Sequence, residues 1–488
     1  MHACPSVQQK RKPSGTYSAG AFFVLAVSVC AHTADADVQI STAPSKNISC
    51  SNGICAPTAA SALLNVSDLE TMLASGDVSV TTAGAGVQAN DIAVIAPFTW
   101  SSESKLTLDA YESVSISASV SVTGQGGLSL LTNDGGAGGI LLFGQTGSAT
   151  FANLSSALTI NGTAYTLVNS VSTLAAAVAA NPAGNFALAN SYDASADGLY
   201  HHSPVETPLT GAVDGLGNTI SNLSIKQGAH SYKYQVGLFA ESLSGSSISA
   251  LKLSGYHVVV TGGKKGIETD VGGLIGGSSG SLVDDHVSGG LKGTGSYVGG
   301  LAGYAVNVTQ CSARVSISAE TTGIVGGLIG DTAGGVVDQS YATGRISADV
   351  ASVVGGLVGE NNDEVDDSYS TVNIRAAAGS AVGGAVGWGH SGNIDTSYST
   401  GSVPSGQSGE VGGLIGDLYA TGASDNYWDT DTSGTNQGTG EGNVSGVTGE
   451  STEQLKASLP SGFDSTIWAE KKSINHGFPY LISNPPPS

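Results

Sequence analysis

The residues best equipped for chemistry are acidic and lie close together. Glu360, Asp363, Glu364, Asp366 and Asp367 fall within eight residues. Aligning similar segments places Asp338 and Asp395 at the position of Asp366, which makes a column of carboxylates. Stacked carboxylates repel one another and call for water, counterions or calcium. Enzymes that cleave polysaccharides use such pairs as acid and base. A lyase would also need a basic residue beside the scissile bond. Arg314, Arg345 and Arg375 recur once per repeat in corresponding places, which reads as periodicity rather than as one unique site. A second oxygen-rich stretch runs Asp429-Thr430-Asp431-Thr432-Ser433-Gly434. Asp429, Asp431 and Ser433 alternate as they do at the start of a calcium loop, with glycine at the sharp turn. Its twelfth position is Gly440 instead of Glu, so a plain turn competes with the metal reading. Calcium is the one cofactor these residues suggest; no organic cofactor is expected.

Other reactive signatures are missing. There is no HExxH and no GxSxG, and GGKKG from Gly262 lacks the spacing of a phosphate-binding loop. His201 and His202 precede Pro204 and read as exposed loop residues. No catalytic residue is assigned. Tyr341, Tyr369 and Tyr398 align as an aromatic ladder, continued by Tyr427. With Asp338, Asp366 and Asp395 they form a candidate ligand face, carbohydrate contact being one use for the rings. The preceding column reads His286, Cys311, Ser340, Ser368, Ser397 and Asn426, which makes Cys311 a structural thiol.

These columns come from a repeat. VGGLIG occurs at Val271, Val325 and Val411, with VGGLAG at Val298, VGGLVG at Val354 and VGGAVG at Val382. The repeated positions are Val271, Gly273 and Leu274; Val298, Gly300 and Leu301; Val325, Gly327 and Leu328; Val354, Gly356 and Leu357; Val382 and Gly384; and Val411, Gly413 and Leu414. Periods of this size mean stacked supersecondary units. Each unit carries three short strand-like pieces and too much glycine for helices. The expectation is an all-β, right-handed parallel β-helix, a solenoid with short capping helices. Stacking buries the repeated valines and leucines, and glycine permits the corners.

VGGL[IAV]G followed by SYATG or SYSTG resembles the GLUG-motif repeats of bacterial secreted and surface proteins. GLGNTISNLSI from Gly215 is similar to the coil that opens such arrays, NYWDTDTSG from Asn426 to the segment that closes them, and GFPYL from Gly477 to a final strand. The likeness covers roughly residues 200 to 485. It implies an exported, adhesin-like or filamentous-haemagglutinin-like β-helix and no particular catalytic activity.

The rest of the chain is read around this array. Residues 1–36 form an export signal: Lys10, Arg11 and Lys12, then an apolar core, then Ala34-Asp35-Ala36 as cleavage site. Residues 37–64 read as a linker with a Cys50–Cys55 disulfide loop, 65–170 as haemagglutinin-like β-coils, and 171–235 as a helix with entering coils. The array spans 236–434, and 435–488 is a C-terminal cap and a proline-rich tail expected to be unstructured. Ser67 and Glu70 suggest a capping box for one helix, Ser172–Pro182 hold a second, and Ser451 starts a third. A formal net charge of −22 argues against nucleic acid and anionic membranes as partners. The export signal leads to the expectation of a protein outside the cell, on its surface or in the periplasm, with no membrane-spanning segment in the mature chain and a separate outer-membrane transporter as a candidate partner. The leading reading is a non-enzymatic scaffold for adhesion or surface and matrix contact with glycans or proteins. A carbohydrate-active enzyme (polysaccharide lyase or hydrolase) and a passive spacer are the alternatives.

Overall fold

The computed structural model describes residues 37–487 apart from 229–232, 263–266, 322, 333, 351, 405–408, 420–421 and 442–443. The export signal at 1–36 lies outside the described residues. The chain is all-β, and its long-range strand pairings are overwhelmingly parallel.

The hexapeptides explain the pairing. Their valines stack in one ladder, Val271 on Val298, Val325, Val354, Val382 and Val411. Leu274, Leu301, Leu328, Leu357 and Leu414 are buried beneath, with Ala385 in the one copy that lacks leucine. The glycine between them answers a steric demand. A Cβ on Gly327, Gly356 or Gly384 would sit 2.0 Å from the carbonyl oxygen of Gly356, Gly384 or Gly413 in the next repeat. Neighbouring backbones approach too closely there for any side chain.

Each repeat then turns through a residue in the left-handed region. Ala250, Asp284, Gln310, Gln339, Asp367, Thr396 and Asp425 all carry φ between 42° and 56°. After this corner, one side chain per repeat accepts the backbone N–H of the repeat before. Ser340 Oγ accepts from Cys311, Ser368 Oγ from Ser340, Ser397 Oγ from Ser368, and Asn426 Oδ1 from Ser397, all at 3.0–3.1 Å. Asp285 holds the same place for Leu251 at 3.0 Å. Cys311 is therefore a buried thiol inside this column.

The first 130 described residues obey the same parallel logic with less regular units. Asp37–Ser41 pairs with Ala62–Asn65 and with Asp91–Val94. Residues 37–64 are thus ladder strands, not a linker, because Val38, Ile40, Ala62 and Leu64 alternate inward. Cys50 and Cys55 form a disulfide across an antiparallel hairpin. Helix α1 (Val66–Leu73) is capped by Asn65, whose side chain accepts from Ser67 N. Ser67 and Glu70 form no capping box; Glu70 Oε1 instead accepts from Thr99 N at 2.9 Å, which serves the strand edge beside the helix. Helix α2 (Val171–Ala180) starts from a capping box of Ser170 and Thr173. Helix α3 is the single turn Thr452–Leu455.

The C-terminal segment does not simply close the end of the array. It runs back along its side. Ser461 O accepts from Tyr427, Pro479 O from Tyr398, Asn484 donates to Gln339 O and Cys311 O, and Pro485 O accepts from Gln145. The proline-rich tail is docked rather than unstructured, and Pro486 is buried.

Candidate functional site

The tyrosine column is a core. Tyr341 stacks on Tyr369 at 4.8 Å and Tyr369 on Tyr398 at 5.0 Å, near parallel. The rings are 3%, 0% and 0% exposed, covered by Leu455, Phe463, Trp468, Phe478 and Leu481 of the C-terminal segment. Tyr369 and Tyr398 are sealed from any ligand and only the edge of Tyr341 borders open space, so the aromatic half of the expected ligand face is corrected. Apolar rings on a sheet surface are buried when the same chain supplies a matching apolar strip.

The acidic column is real but part-covered. Asp338 pairs in register with Asp366, and Asp366 with Asp395; all three are half-buried. Burial pushes Asp338 up to about 7, aided by the charges of Asp366 and Asp367. Asp367 is also raised by burial, while Trp468 Nε1 donates to its Oδ1 at 2.7 Å. Asp338, Asp366 and Asp367 bring one oxygen each within 4.8 Å. The calcium-loop stretch is spent on local structure. Asp429 is fully buried; its Oδ1 accepts from Asp431 N and Thr432 N, and its Oδ2 from Thr452 Oγ1. Asp431 Oδ2 accepts from Thr452 N, and Ser433 Oγ donates to Thr435 O. These oxygens build a turn and hold the start of α3.

The arginines do not share a column. Arg314 pairs with Thr343, Arg345 with Ser316 and Asn373, and Arg375 with Ser347. Arg314 is therefore the one arginine in its column, between Ser288 and Thr343. It lines a groove of about 960 Å³ between the array, the 143–146 segment and the C-terminal segment. The floor is one column in register: Thr219, Lys252, His286, Ser312 and Tyr341. His286 thus belongs to the tyrosine column, and Asp285 takes the serine-column place expected for it. Lys252 Nζ donates to the carbonyls of Gly144, Gln145 and Gly147, tying the groove wall to the floor. Desolvation lowers the pKa of that ammonium. Ser254, Ser288, Thr343, Thr371 and Asn373 add hydroxyls and an amide, and Lys472 and His476 lean in from the C-terminal segment.

The groove inverts the charge of the molecule. The chain has 17 Lys and Arg against 39 Asp and Glu. The groove lining has Lys252, Arg314 and Lys472, with His286 and His476, against Asp284 alone. A sequence signal existed: His286 and Ser312 break the tyrosine column.

No protein-family model matches the chain, and no curated protein matches it. Among solved structures it is similar to an IgA1 protease, at 22% identity and a TM-score of 0.41 over 54% of this chain. The chain spans about a fifth of that protein, 21% of its length. It is also similar to a putative immunoglobulin A1 protease from Bacteroides ovatus, at 19% identity and a TM-score of 0.40, covering 61% of this chain and 85% of that one. Neither likeness decides a function. Among the described residues, no helix is long and apolar enough to cross a membrane.

Proposed function

We propose that this is an exported binding protein of the GLUG-repeat kind, a right-handed parallel β-helix whose groove holds a negatively charged polysaccharide. The observation that carries the reading is the cationic lining in an otherwise acidic molecule. Positive groups gathered in one cleft attract an anionic polymer and repel little else of the same protein. The hydroxyls and amide beside them suit sugar hydroxyl groups, and rows of them repeat at the strand spacing of about 4.8 Å. The Cys50–Cys55 disulfide and the signal-like leader support export. Adhesion or matrix attachment through such a polymer is the corresponding role, with a separate transporter carrying the chain outward. Calcium is proposed only as an optional occupant of the acidic column.

The test is retention on polygalacturonate beside neutral dextran, at low and high salt. Retention on the anionic polymer alone, lost as salt rises, is the expected result. Equal retention on both, or on neither, contradicts the reading.

A further inference from the structure

Binding leaves a connected set of groups in the groove without a use. His286 Nδ1 lies 2.8 Å from Ser312 Oγ, and His286 Nε2 lies 3.0 Å from Asp284 Oδ1. The Asp284 side chain is only 5% exposed, and its other oxygen accepts from Phe143 N at 3.0 Å. The carboxylate is therefore held from two sides. Its residue sits at the left-handed corner, φ 56°, so an aspartate two residues before the histidine can turn back towards the ring. His286 and Ser312 are direct register partners on adjacent strands. All three line the groove, and the imidazole is 24% exposed to it.

The roles are those of a nucleophile, its base and the group that orients the base, recognised by geometry and not by sequence order. The same column carries tyrosine at the next four repeats, so nothing in the stacking requires His286 or Ser312. Arg314 stands two residues beyond Ser312 on the same outward side of the strand, exposed, where a developing oxyanion would need positive charge.

We infer that the groove hydrolyses esters, with Ser312 as nucleophile, His286 as general base and Asp284 orienting the ring. The substrate class is an acyl ester of a hydroxyl group on the bound anionic polysaccharide, so the inference rests on the binding reading. Ser312 Oγ bonds to the acyl carbon while its proton passes to His286 Nδ1; the Nε2 proton stays directed at Asp284. The carbon–oxygen bond to the sugar then breaks, and the sugar hydroxyl leaves with the proton from Nδ1. Water attacks the acyl-serine with the same base, which releases the carboxylic acid and restores Ser312. No oxidant or metal enters the balance.

The experiment treats the folded exported chain with a fluorophosphonate probe, maps any adduct by mass spectrometry, and follows p-nitrophenyl acetate hydrolysis. The expected result is an adduct on Ser312, absent in Ser312→Ala, with labelling and hydrolysis reduced about 100-fold or more in His286→Gln, the scale of a lost general base. Asp284→Asn, which keeps the shape, should reduce both as well, and it serves if Ser312→Ala does not fold. No adduct on protein that is still retained on polygalacturonate overturns the inference and leaves the binding reading standing. An adduct elsewhere, unchanged in Ser312→Ala, overturns it equally. Loss of both labelling and retention in the wild-type chain sinks both readings.

Discussion

Between Tyr341 and Tyr427 the outward column repeats one ring, and the C-terminal segment lies over it. Between Lys252 and Ser312 the same column changes residue at every step and opens onto a groove. The column itself runs in unbroken register through both regions, Lys252 on His286, Ser312, Tyr341, Tyr369, Tyr398 and Tyr427. The difference is therefore in what the side chains serve. Where the repeat is uniform the column is packing; where it breaks, the positions are released for polar and charged groups. Function in a stacked fold is read from departures, since uniform columns answer to their neighbours alone.

The comparison breaks most visibly if the cover is loosened. Trp468 is fully buried against Tyr369, Tyr398 and Phe463 and donates to Asp367. Trp468→Ala should cost about 3–5 kcal/mol. Thermal unfolding would show the loss, and limited proteolysis should cut within 451–487 while the array stays resistant. An unchanged melting profile would mean that the tyrosines do not depend on their cover.

A smaller but sharper test sits beneath both regions. Gly356→Ala places a methyl group 2.0 Å from Gly384 O and near Ser370 Oγ. Overpacking of this kind costs about 1–3 kcal/mol, and backbone cannot yield as a side chain does. Urea unfolding should show a lower midpoint with an unchanged slope. A neutral effect would deny that the repeats approach as closely as described.

The smallest effect is on pH. Asp338 is raised to about 7, chiefly by burial. A carboxyl raised in the folded chain holds its proton more tightly there than in the unfolded chain. Stability from this group is therefore greatest at low pH and falls as pH rises from the usual carboxylate range through about 7. Asp338→Asn should flatten that part of the stability–pH curve and raise the melting temperature at pH 8 more than at pH 5.

The array was legible because six near-identical hexapeptides fix period, inward face and close approach at once. The acidic column followed from the same alignment. The groove was not legible, and the reason is local. Leu282 and Val283 stand side by side, and only Leu282 points inward, fully buried. Anchoring on Val283 shifts the next residues by one and moves His286 out of its true column. The arginines misled in the opposite sense, because equal spacing in sequence placed them in three different register positions. The cover over the tyrosines depends on contacts such as Trp468 to Asp367, 101 residues apart in sequence, for which the repeat gives no signal.

The most direct test of the central claim is a paired charge reversal. Arg314→Glu with Lys472→Glu reverses two of the three Lys and Arg charges of the groove and leaves Lys252, which ties its wall to its floor. Arg345→Glu reverses one outside the groove, on a side chain whose Nε donates to Ser316 Oγ at 3.0 Å. Binding to polygalacturonate should fall at least about tenfold in the double variant, equivalent to about 1.4 kcal/mol, with a weaker salt dependence. Arg345→Glu should change it little. Equal losses in both variants would show that the polymer reads overall charge, and the groove at the break in the column would then not be the site.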